Sequence, residues 1–239
     1  MKVIAIIPAR FDSTRFPGKP LAKLGNKFII QHVYEQAQKS RLFSEVIVGT
    51  DDQRIFEAVI GFNGKVTLTS KKHKSGTDRV AEVCDKMPCC RDTDVVVNVQ
   101  GDEPFITEKP LRKLIEAFND PEVMVASLMN EIKHDIEDPN VVKVVCDENF
   151  NALSFSRIPN IESLTPNYKH IGVYAFRRKI LFEFVKLSES KLEKIEKLEQ
   201  LRLLENGYKI KMVLTSYKGI GIDTPQDLEK AEKILKTIK

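Results

Sequence analysis

Basic and hydroxyl-bearing side chains are concentrated in one loop near the start of the chain. Segment 8–20 follows a short apolar run and carries three cations, two hydroxyls and a glycine: Arg10, Ser13, Thr14, Arg15, Gly18 and Lys19. Arginine forks, a lysine point charge and exposed backbone amides are groups that bind polyphosphates. The segment is neither a P-loop nor a dinucleotide fingerprint, because proline follows Gly18-Lys19 and no Gly-x-Gly-x-x-Gly occurs. A solvated basic loop is the alternative that this segment alone leaves open.

Carboxylates follow two later apolar segments. Asp102 and Glu103 come directly after the run 94–99, beside Gly101. Asp223 precedes the last helical segment of the chain. Mg²⁺ prefers one or two carboxylates, with waters and substrate phosphates completing its octahedron, so these aspartates are candidate metal ligands. Taken singly, Asp102 would also suit an ordinary turn, and Asp223 a turn or a helix cap.

Segment 75–79 places hydroxyls and a glycine directly before an apolar helical stripe. Its polar members are Ser75, Thr77 and Arg79, with Gly76 between them. Either hydroxyl predicts a helix N-cap. The alternative is that the hydroxyls and the backbone at Gly76 contact a nucleobase or ribose, and the spacing alone favours the cap.

The elements that must position these residues alternate between short β-rich runs and helical spacing. The predicted strands are 3–7, 45–49, 65–68, 94–99 and 123–127, and apolar positions at helical spacing lie between them. This alternation predicts βαβ units, a mostly parallel Rossmann-like sheet and an α/β fold with flanking helices. Ligands bind beyond the carboxyl ends of such strands, where the basic loop and Asp102 are expected.

The pattern changes after residue 141. Strands are predicted at 141–145, 152–155 and 171–176 without full helices between them, which indicates an antiparallel insertion at about 130–190 within a single domain spanning 1–239. A helix is predicted at 192–205, and two heptads are too few for a coiled coil, so an amphipathic core or interface helix is favoured. A strand at 209–214 and a terminal helix starting at Thr224-Pro225 follow.

Composition excludes several classes of protein. Apolar residues make up 42% and charged residues 30%, which is too apolar for a disordered chain. The net charge of +4 is too small for a dedicated nucleic-acid binder. No apolar run is long enough to span a bilayer, and the first residues do not form a secretory signal. The four cysteines show no Cys-x-x-Cys spacing, so neither a disulfide framework nor a zinc site is supported, and we expect a cytoplasmic protein without membrane contact.

Seven segments together resemble one enzyme family, the 3-deoxy-manno-octulosonate (Kdo) cytidylyltransferases, also called CMP-Kdo synthetases. They run in order through nearly the whole chain: IIPARFDSTRFPGKPL, SGTDR, NVQGDEP, FSR, HIGVY, LEQLR and GIDTPQDL. The resemblance implies a nucleotidyltransferase that joins CMP from CTP to the anomeric hydroxyl of Kdo and releases pyrophosphate. It also implies Mg²⁺ as cofactor, a place in lipopolysaccharide biosynthesis, and a homodimer whose antiparallel insertion serves sugar binding and dimerisation.

The resemblance also assigns roles at matching positions. Catalysis falls to Arg10, Lys19, Asp102 and Asp223, of which the two aspartates would hold Mg²⁺. The CTP-binding residues would be Arg10, Ser13, Arg15, Lys19, Ser75, Gly76, Thr77, Arg79 and Gln100. The sugar-binding residues would be Gln100, Arg157, His170, Tyr174, Glu199 and Gln200. In this assignment the helix at 192–205 presents its polar edge, Glu199-Gln200, to the substrate.

The implied chemistry is an in-line displacement at the α-phosphorus, in which charge neutralisation and alignment of two anions do most of the work. Within this class, the acceptor could instead be an 8-amino Kdo analogue or another acidic sugar. From a different class, the chain could be a nucleotide-binding or scaffold protein that has lost the chemistry, although the presence of both candidate metal carboxylates argues against this. A nucleic-acid-binding role is least favoured, because the basic residues serve one loop rather than a stripe.

Overall fold

The computed structural model describes residues 1–12, 15–132, 136–159, 168–219 and 221–238. The chain forms two compact units, one made of Met1–Leu111 with Gly219–Lys239 and the other of Arg112–Lys218. The insertion predicted at about 130–190 lies within the second range. Among the described residues, no helix has the length and apolar character needed to span a membrane.

The helices and strands alternate regularly in the first part of the chain. In order they are β1 (Val3–Ala9), β2 (Lys23–Leu24), β3 (Lys27–Phe28), α1 (Ile29–Ser40), β4 (Glu45–Thr50), α2 (Gln53–Gly61), β5 (Val66–Leu68), α3 (Gly76–Lys86), β6 (Val95–Asn98) and α4 (Glu108–Glu116). Then follow β7 (Val125–Glu131), β8 (Lys143–Cys146), β9 (Ala152–Ser156), β10 (Tyr168–Arg177), α5 (Arg178–Phe184), α6 (Lys191–Glu196), α7 (Leu201–Glu205), β11 (Lys211–Leu214) and α8 (Pro225–Ile238).

A parallel sheet with the order β6-β1-β4-β5 forms the centre of the first unit. Every residue of β1 and of β6 is buried, as expected for parallel strands covered on both faces. Helices α1, α2 and α3 pack on this sheet through their apolar stripes. The predicted α/β fold with a parallel sheet and flanking helices is confirmed.

Antiparallel pairing dominates the second unit. Strand β10 pairs with β7 and with β8, and β8 pairs in turn with β9, all antiparallel. Strand β11 runs parallel to β7. The three strands predicted after residue 141 are therefore present as β8, β9 and β10.

The prediction of one helix at 192–205 is wrong, because the segment forms two short helices. Lys197 adopts a left-handed conformation (φ 58°) and ends α6, and α7 begins only at Leu201. The guanidinium of Arg202 donates two hydrogen bonds, of 2.9 and 2.5 Å, to the carboxylate of Glu193, and both side chains are buried. In a straight helix residues nine apart lie on opposite faces and about 13 Å apart along the axis, so this ion pair requires the chain to fold back.

Candidate active site

The basic loop after β1 is folded back on itself. The amide of Gly18 donates to the carbonyl of Phe11 (2.9 Å), and Gly18 is left-handed, with φ 71°. A Cβ at this position would lie 3.0 Å from the Phe11 ring, so glycine suits both the conformation and the close approach. The guanidinium of Arg54 stacks over the same ring, 3.3 Å from its centroid. This packing sets Lys19 at the start of a short 3₁₀ turn; Ser13, predicted in this loop, lies outside the described residues.

Lys19 joins the two predicted metal ligands. Its Nζ donates to Asp102 Oδ2 at 2.7 Å and to Asp223 Oδ1 at 3.0 Å. Arg15 forms an ion pair of 3.0 Å with the other oxygen of Asp223. Four residues selected for their chemistry therefore meet at one place, although Lys19 and Asp223 are 204 positions apart in the chain. Their two positive and two negative charges balance.

Backbone contacts hold Asp102 in this position. Gly101, directly before it, approaches β1 so closely that a Cβ would lie 2.9 Å from the carbonyl oxygen of Pro8. The carbonyl of Asp102 accepts a hydrogen bond of 3.0 Å from the amide of Ile222. This bond ties the turn after β6 to the loop before α8, so the two aspartates are brought together by the backbone as well as by Lys19.

A helix cap keeps the carboxylate of Asp223 available. The amides of Asp223 and Thr224 donate to the carboxylate of Asp227 at 3.2 and 3.0 Å, and the Thr224 hydroxyl does so at 2.8 Å. The Asp227 amide donates back to Thr224 Oγ1 at 3.2 Å, which completes a reciprocal cap at the start of α8. Because Asp227 satisfies these donors, Asp223 directs its own carboxylate at the cations.

The charges of the cluster support one another. Burial lowers the pKa of Lys19, but the carboxylates of Asp102 and Asp223 outweigh that effect and raise it above its ordinary value. Burial likewise raises the pKa of Asp223, but Lys19 and Arg15 hold it below its ordinary value. Lys19 and Asp223 are therefore both charged at neutral pH, and the carboxylates of Asp102 and Asp223 together bind the ammonium of Lys19.

Ser75 and Arg79, both predicted on the cytidine side, form hydrogen bonds with other residues of the protein. Ser75 caps α3, because its hydroxyl accepts from the amide of Asp78 at 3.1 Å while its own amide donates to the Asp78 carboxylate at 3.2 Å. Arg79 is buried and donates to Asp51 at 2.8 Å and to Thr69. Both side chains therefore stabilise α3 and its surroundings in this structure.

The remaining nucleotide-side residues lie at the ends of β1 and β6 and at the start of α3. Thr77 is buried, and its hydroxyl accepts a hydrogen bond of 3.3 Å from the side-chain Nδ2 of Asn98. The side-chain Nε2 of Gln100 donates to Oδ1 of the same asparagine at 3.2 Å. Gly76 lies beside Gln100, where a Cβ would make only ordinary contacts. Arg10 is exposed at the end of β1.

Two of the residues predicted to bind sugar, His170 and Tyr174, pack together in the second unit. The rings of His170 and Tyr174 are 5.3 Å apart between centroids, and Phe155 meets His170 edge-on at 5.1 Å. Burial lowers the pKa of His170 to about 3, and burial together with the charge of Glu199 raises the pKa of Tyr174. Both rings are therefore neutral at pH 7 and can only donate or accept hydrogen bonds.

Glu199 and Gln200 lie in the turn between α6 and α7, rather than on the edge of a helix. Gln200 is buried, and no described residue hydrogen-bonds to its Nε2. The guanidinium of Arg157 donates to the carbonyls of Pro139 (3.1 Å) and Glu196 (3.3 Å).

Two supporting residues were not identified from the sequence. Asp227 carries a signal that sequence analysis could have used, since Thr-x-x-Asp before an apolar run is typical of a capping box. Ser127, the hydroxyl beside His170, is a single small polar residue inside a buried strand, and nothing in its local pattern distinguishes it.

A family model for cytidylyltransferases matches residues 4–210. The chain belongs to the cytidylyltransferase family. The predicted resemblance and the assignment to the nucleotidyltransferase enzymes are thereby confirmed.

The relatives of this cytidylyltransferase carry a narrower name. It is 50% identical over 253 residues to the 3-deoxy-manno-octulosonate cytidylyltransferase of Thermodesulfovibrio yellowstonii, covering 99% of each chain. It is 51% identical over 251 residues to that of Phocaeicola vulgatus, covering 99% of this chain and 98% of the relative. A solved structure of CMP:2-keto-3-deoxy-manno-octonic acid synthetase complexed with CTP aligns over 100% of both chains, with a TM-score of 0.92 and 40% identity. A 4-diphosphocytidyl-2C-methyl-D-erythritol synthase from Anaerococcus prevotii, at 18% identity and a TM-score of 0.68 over 98% of both chains, shares the fold.

Proposed function

We propose that this cytidylyltransferase transfers CMP from CTP to the anomeric hydroxyl of Kdo and releases pyrophosphate, a step that supplies lipopolysaccharide biosynthesis. The observation that carries the proposal is the meeting of Lys19, Asp102 and Asp223 beyond the carboxyl ends of the parallel strands, where nucleotides bind in such folds. The names of relatives about 50% identical over the whole chain and the CTP-bound structural relative support the choice of substrates. By the same resemblance we propose a cytoplasmic homodimer.

The two aspartates fit the Mg²⁺ that this reaction calls for. Hard oxygen ligands suit this ion, one or two carboxylates suffice, and Asp102 and Asp223 already converge on a cation, the ammonium of Lys19. Held there, Mg²⁺ supplies polarisation of the α-phosphate and a lower pKa for the attacking hydroxyl.

Basic residues of the loop neutralise the triphosphate. Lys19 and Arg15 form ion pairs with the aspartates, and we propose that they turn to phosphate oxygens when CTP is bound. Arg10, exposed at the end of β1, supplies a third cation. Lys19 and Arg10 then stabilise the charge that builds on the departing pyrophosphate, a preorganised electrostatic effect.

Neutral polar groups of the second unit suit the hydroxyls of Kdo. His170 and Tyr174 are held uncharged by burial, so they discriminate by hydrogen bonds rather than by charge. The buried Nε2 of Gln200 gains from a substrate oxygen the partner that the described residues do not supply. Arg157 is proposed to offer its fork to the sugar carboxylate, with Glu199 accepting from a hydroxyl.

The proposal is tested by pyrophosphate release with CTP, ATP, UTP or GTP, each with and without Kdo. We expect release only with CTP and Kdo, and its loss in EDTA with recovery on adding Mg²⁺. Asp102→Asn should remain folded and lose turnover by orders of magnitude, whereas Asp92→Asn, at an exposed position, should behave normally. Full turnover in EDTA or near-normal turnover of Asp102→Asn would exclude the metal role. Faster turnover with an 8-amino analogue than with Kdo would reassign the acceptor sugar.

A further inference from the structure

A bulge in β10 places two backbone carbonyls against one buried serine. In the pairing of β10 with β7, Ile171 faces Leu128 but Tyr174 faces Ser127, so residues 172–173 are extra on the β10 side. The carbonyls of Ile171 and Val173 both lie within reach of the Ser127 hydroxyl, at 3.3 and 2.9 Å. Ser127 is fully buried. Bulges of this kind often occur beside functional sites, where they redirect side chains.

The same hydroxyl contacts the ring of His170. Ser127 Oγ lies 2.9 Å from His170 Nε2. A hydroxyl has one proton and two lone pairs, and a carbonyl oxygen can only accept. If the hydroxyl proton of Ser127 pointed at Nε2, the serine oxygen would face the two carbonyl oxygens with no proton between them. The two buried carbonyls would then lose the hydroxyl as a hydrogen-bond donor, which is unfavourable in the protein interior. The arrangement is satisfied when the hydroxyl donates to the carbonyls and Nε2–H donates to the hydroxyl.

This assigns the tautomer of His170. The ring is neutral at pH 7 because burial lowers its pKa to about 3, so only one nitrogen carries a proton. With the proton on Nε2, Nδ1 is an acceptor. Phe155 and Tyr174 pack against the ring and restrict its rotation, which keeps the acceptor in a fixed direction.

We propose that Ser127 is a positioning residue that fixes His170 as the Nε2–H tautomer, so that Nδ1 accepts a hydrogen bond from a hydroxyl of the acceptor sugar. This inference rests on the proposed function for the identity of the substrate, but the tautomer itself is a property of the ligand-free protein. A neutral histidine ring has two tautomers, and the amino-acid sequence does not distinguish them. The contacts of Ser127 at the bulge select one.

The first test is the tautomer in the unaltered protein. The chain has four histidines, and comparison of ¹⁵N-labelled protein with His170→Asn assigns the His170 ring signals. Long-range ¹H–¹⁵N correlations should show a protonated Nε2 and a bare Nδ1 that do not change between pH 6 and 8. A protonated Nδ1, or a ring that titrates in this range, overturns the proposal in the unaltered protein itself.

The second test is Ser127→Ala, with Ser154→Ala on the exposed part of β9 as the matched control. Ser127→Ala should give a mixed or Nδ1-protonated ring, raise the KM for Kdo about tenfold, the size of one lost hydrogen bond, and leave the KM for CTP unchanged. Ser154→Ala should change neither spectrum nor KM. An unchanged tautomer in Ser127→Ala, or a changed tautomer with an unchanged KM for Kdo, overturns the role of Ser127.

A third measurement separates this inference from the proposed function. His170→Asn places an amide oxygen near the position of Nδ1, whereas His170→Gln extends its amide towards the position of Nε2. We expect His170→Asn to retain the lower KM for Kdo of the two, and the reverse order contradicts the acceptor role. If the unaltered protein shows the Nε2–H tautomer yet releases no pyrophosphate with CTP and Kdo, the proposed function fails while the tautomer assignment stands.

Discussion

Replacing Lys19 by methionine separates two proposed roles of the site, binding of Mg²⁺ by the aspartates and neutralisation of phosphate by the lysine. The two can be separated because the ammonium lies where the divalent cation is proposed. Lys19 is only 13% exposed, and its Nζ donates to Asp102 at 2.7 Å and to Asp223 at 3.0 Å. A hydrogen bond to a charged group contributes about 1.5–3 kcal/mol. The contact with Asp223, which is 43% exposed and keeps Arg15 as a partner, is discounted for screening. We therefore expect Lys19→Met to lose about 1.5–3 kcal/mol of unfolding free energy without added metal.

The same substitution should strengthen binding of Mg²⁺ in the absence of nucleotide. In the unaltered protein, an ion that binds both aspartates must displace an ammonium held by about 1.5–3 kcal/mol, whereas in Lys19→Met the carboxylates have lost that competitor. At about 1.4 kcal/mol per factor of ten, the dissociation constant should fall roughly ten- to a hundredfold. Turnover should nevertheless be lost, because no lysine then neutralises the phosphates.

The measurement is calorimetric titration of Mg²⁺ into nucleotide-free protein, together with thermal unfolding over a range of Mg²⁺ concentrations. Mg²⁺ should raise the Tm of Lys19→Met more than that of the unaltered protein. Lys72→Met, which removes an exposed lysine, is the matched control and should titrate like the unaltered protein. Equal or weaker binding of Mg²⁺ to Lys19→Met would refute the reasoning, because the ammonium would then not hold the position of the metal.

Three further predictions concern stability. Gly101→Ala places a Cβ 2.9 Å from a backbone oxygen, so the free energy of unfolding in urea should fall by about 1–3 kcal/mol. Gly76→Ala, whose Cβ would have its nearest neighbour at 3.5 Å, is the control and should change it by less than about 1 kcal/mol. Equal losses would contradict the steric argument. Glu193→Gln breaks the buried ion pair between Glu193 and Arg202 and should cost about 3–5 kcal/mol in the same assay. A loss below about 1 kcal/mol would show that the pair is not needed for the fold-back of α6 and α7. Burial raises the pKa of Asp223, but its two neighbouring cations hold that pKa below the ordinary 3.8. The contribution of Asp223 to stability is therefore present above pH 3.8 and is lost as the pH falls through the lower pKa of the folded protein. Acid unfolding of Asp223→Asn should lack this loss, and acid profiles identical to those of the unaltered protein would count against the ion pairs.

The parallel sheet could be predicted because its strands carry a strong signal. β1 and β6 are buried on both faces and therefore appear as nearly continuous apolar runs. The boundaries of β7 differ from the prediction, because the sequence indicates a strand at 123–127 and the structure has Val125–Glu131. This strand continues through Asn130 and Glu131, whose polar side chains do not extend the apolar pattern.

The break between α6 and α7 could not be predicted from periodicity. Leucines and isoleucines recur at helical spacing through the whole of 192–205, which favours one helix locally. The ion pair between Glu193 and Arg202 is decided by tertiary packing. A charged residue on a helical pattern gives no sign of whether it will be buried.

Within the candidate site, residue types and motifs identified which residues to examine, and the structure shows how they are engaged. Asp102 and Asp223 were paired as metal ligands, and they do meet, but the ammonium between them depends on contacts across 83 and 204 positions of sequence. The resemblance places Arg79 in the CTP site, and the structure shows it in a buried ion pair with Asp51. An arginine suits either role, so the residue type alone does not distinguish them. Only the fold distinguishes a cation that faces a ligand from one that faces the core.

The hydrogen bond between Ile222 and Asp102 has a consequence for synthesis of the protein. The parallel sheet is built entirely from residues before position 100, so it can begin to form early on the ribosome. The second carboxylate of the cluster, Asp223, is translated long after Asp102, just before α8. A nascent chain can therefore form the parallel sheet long before the cluster of Lys19, Asp102 and Asp223 is complete.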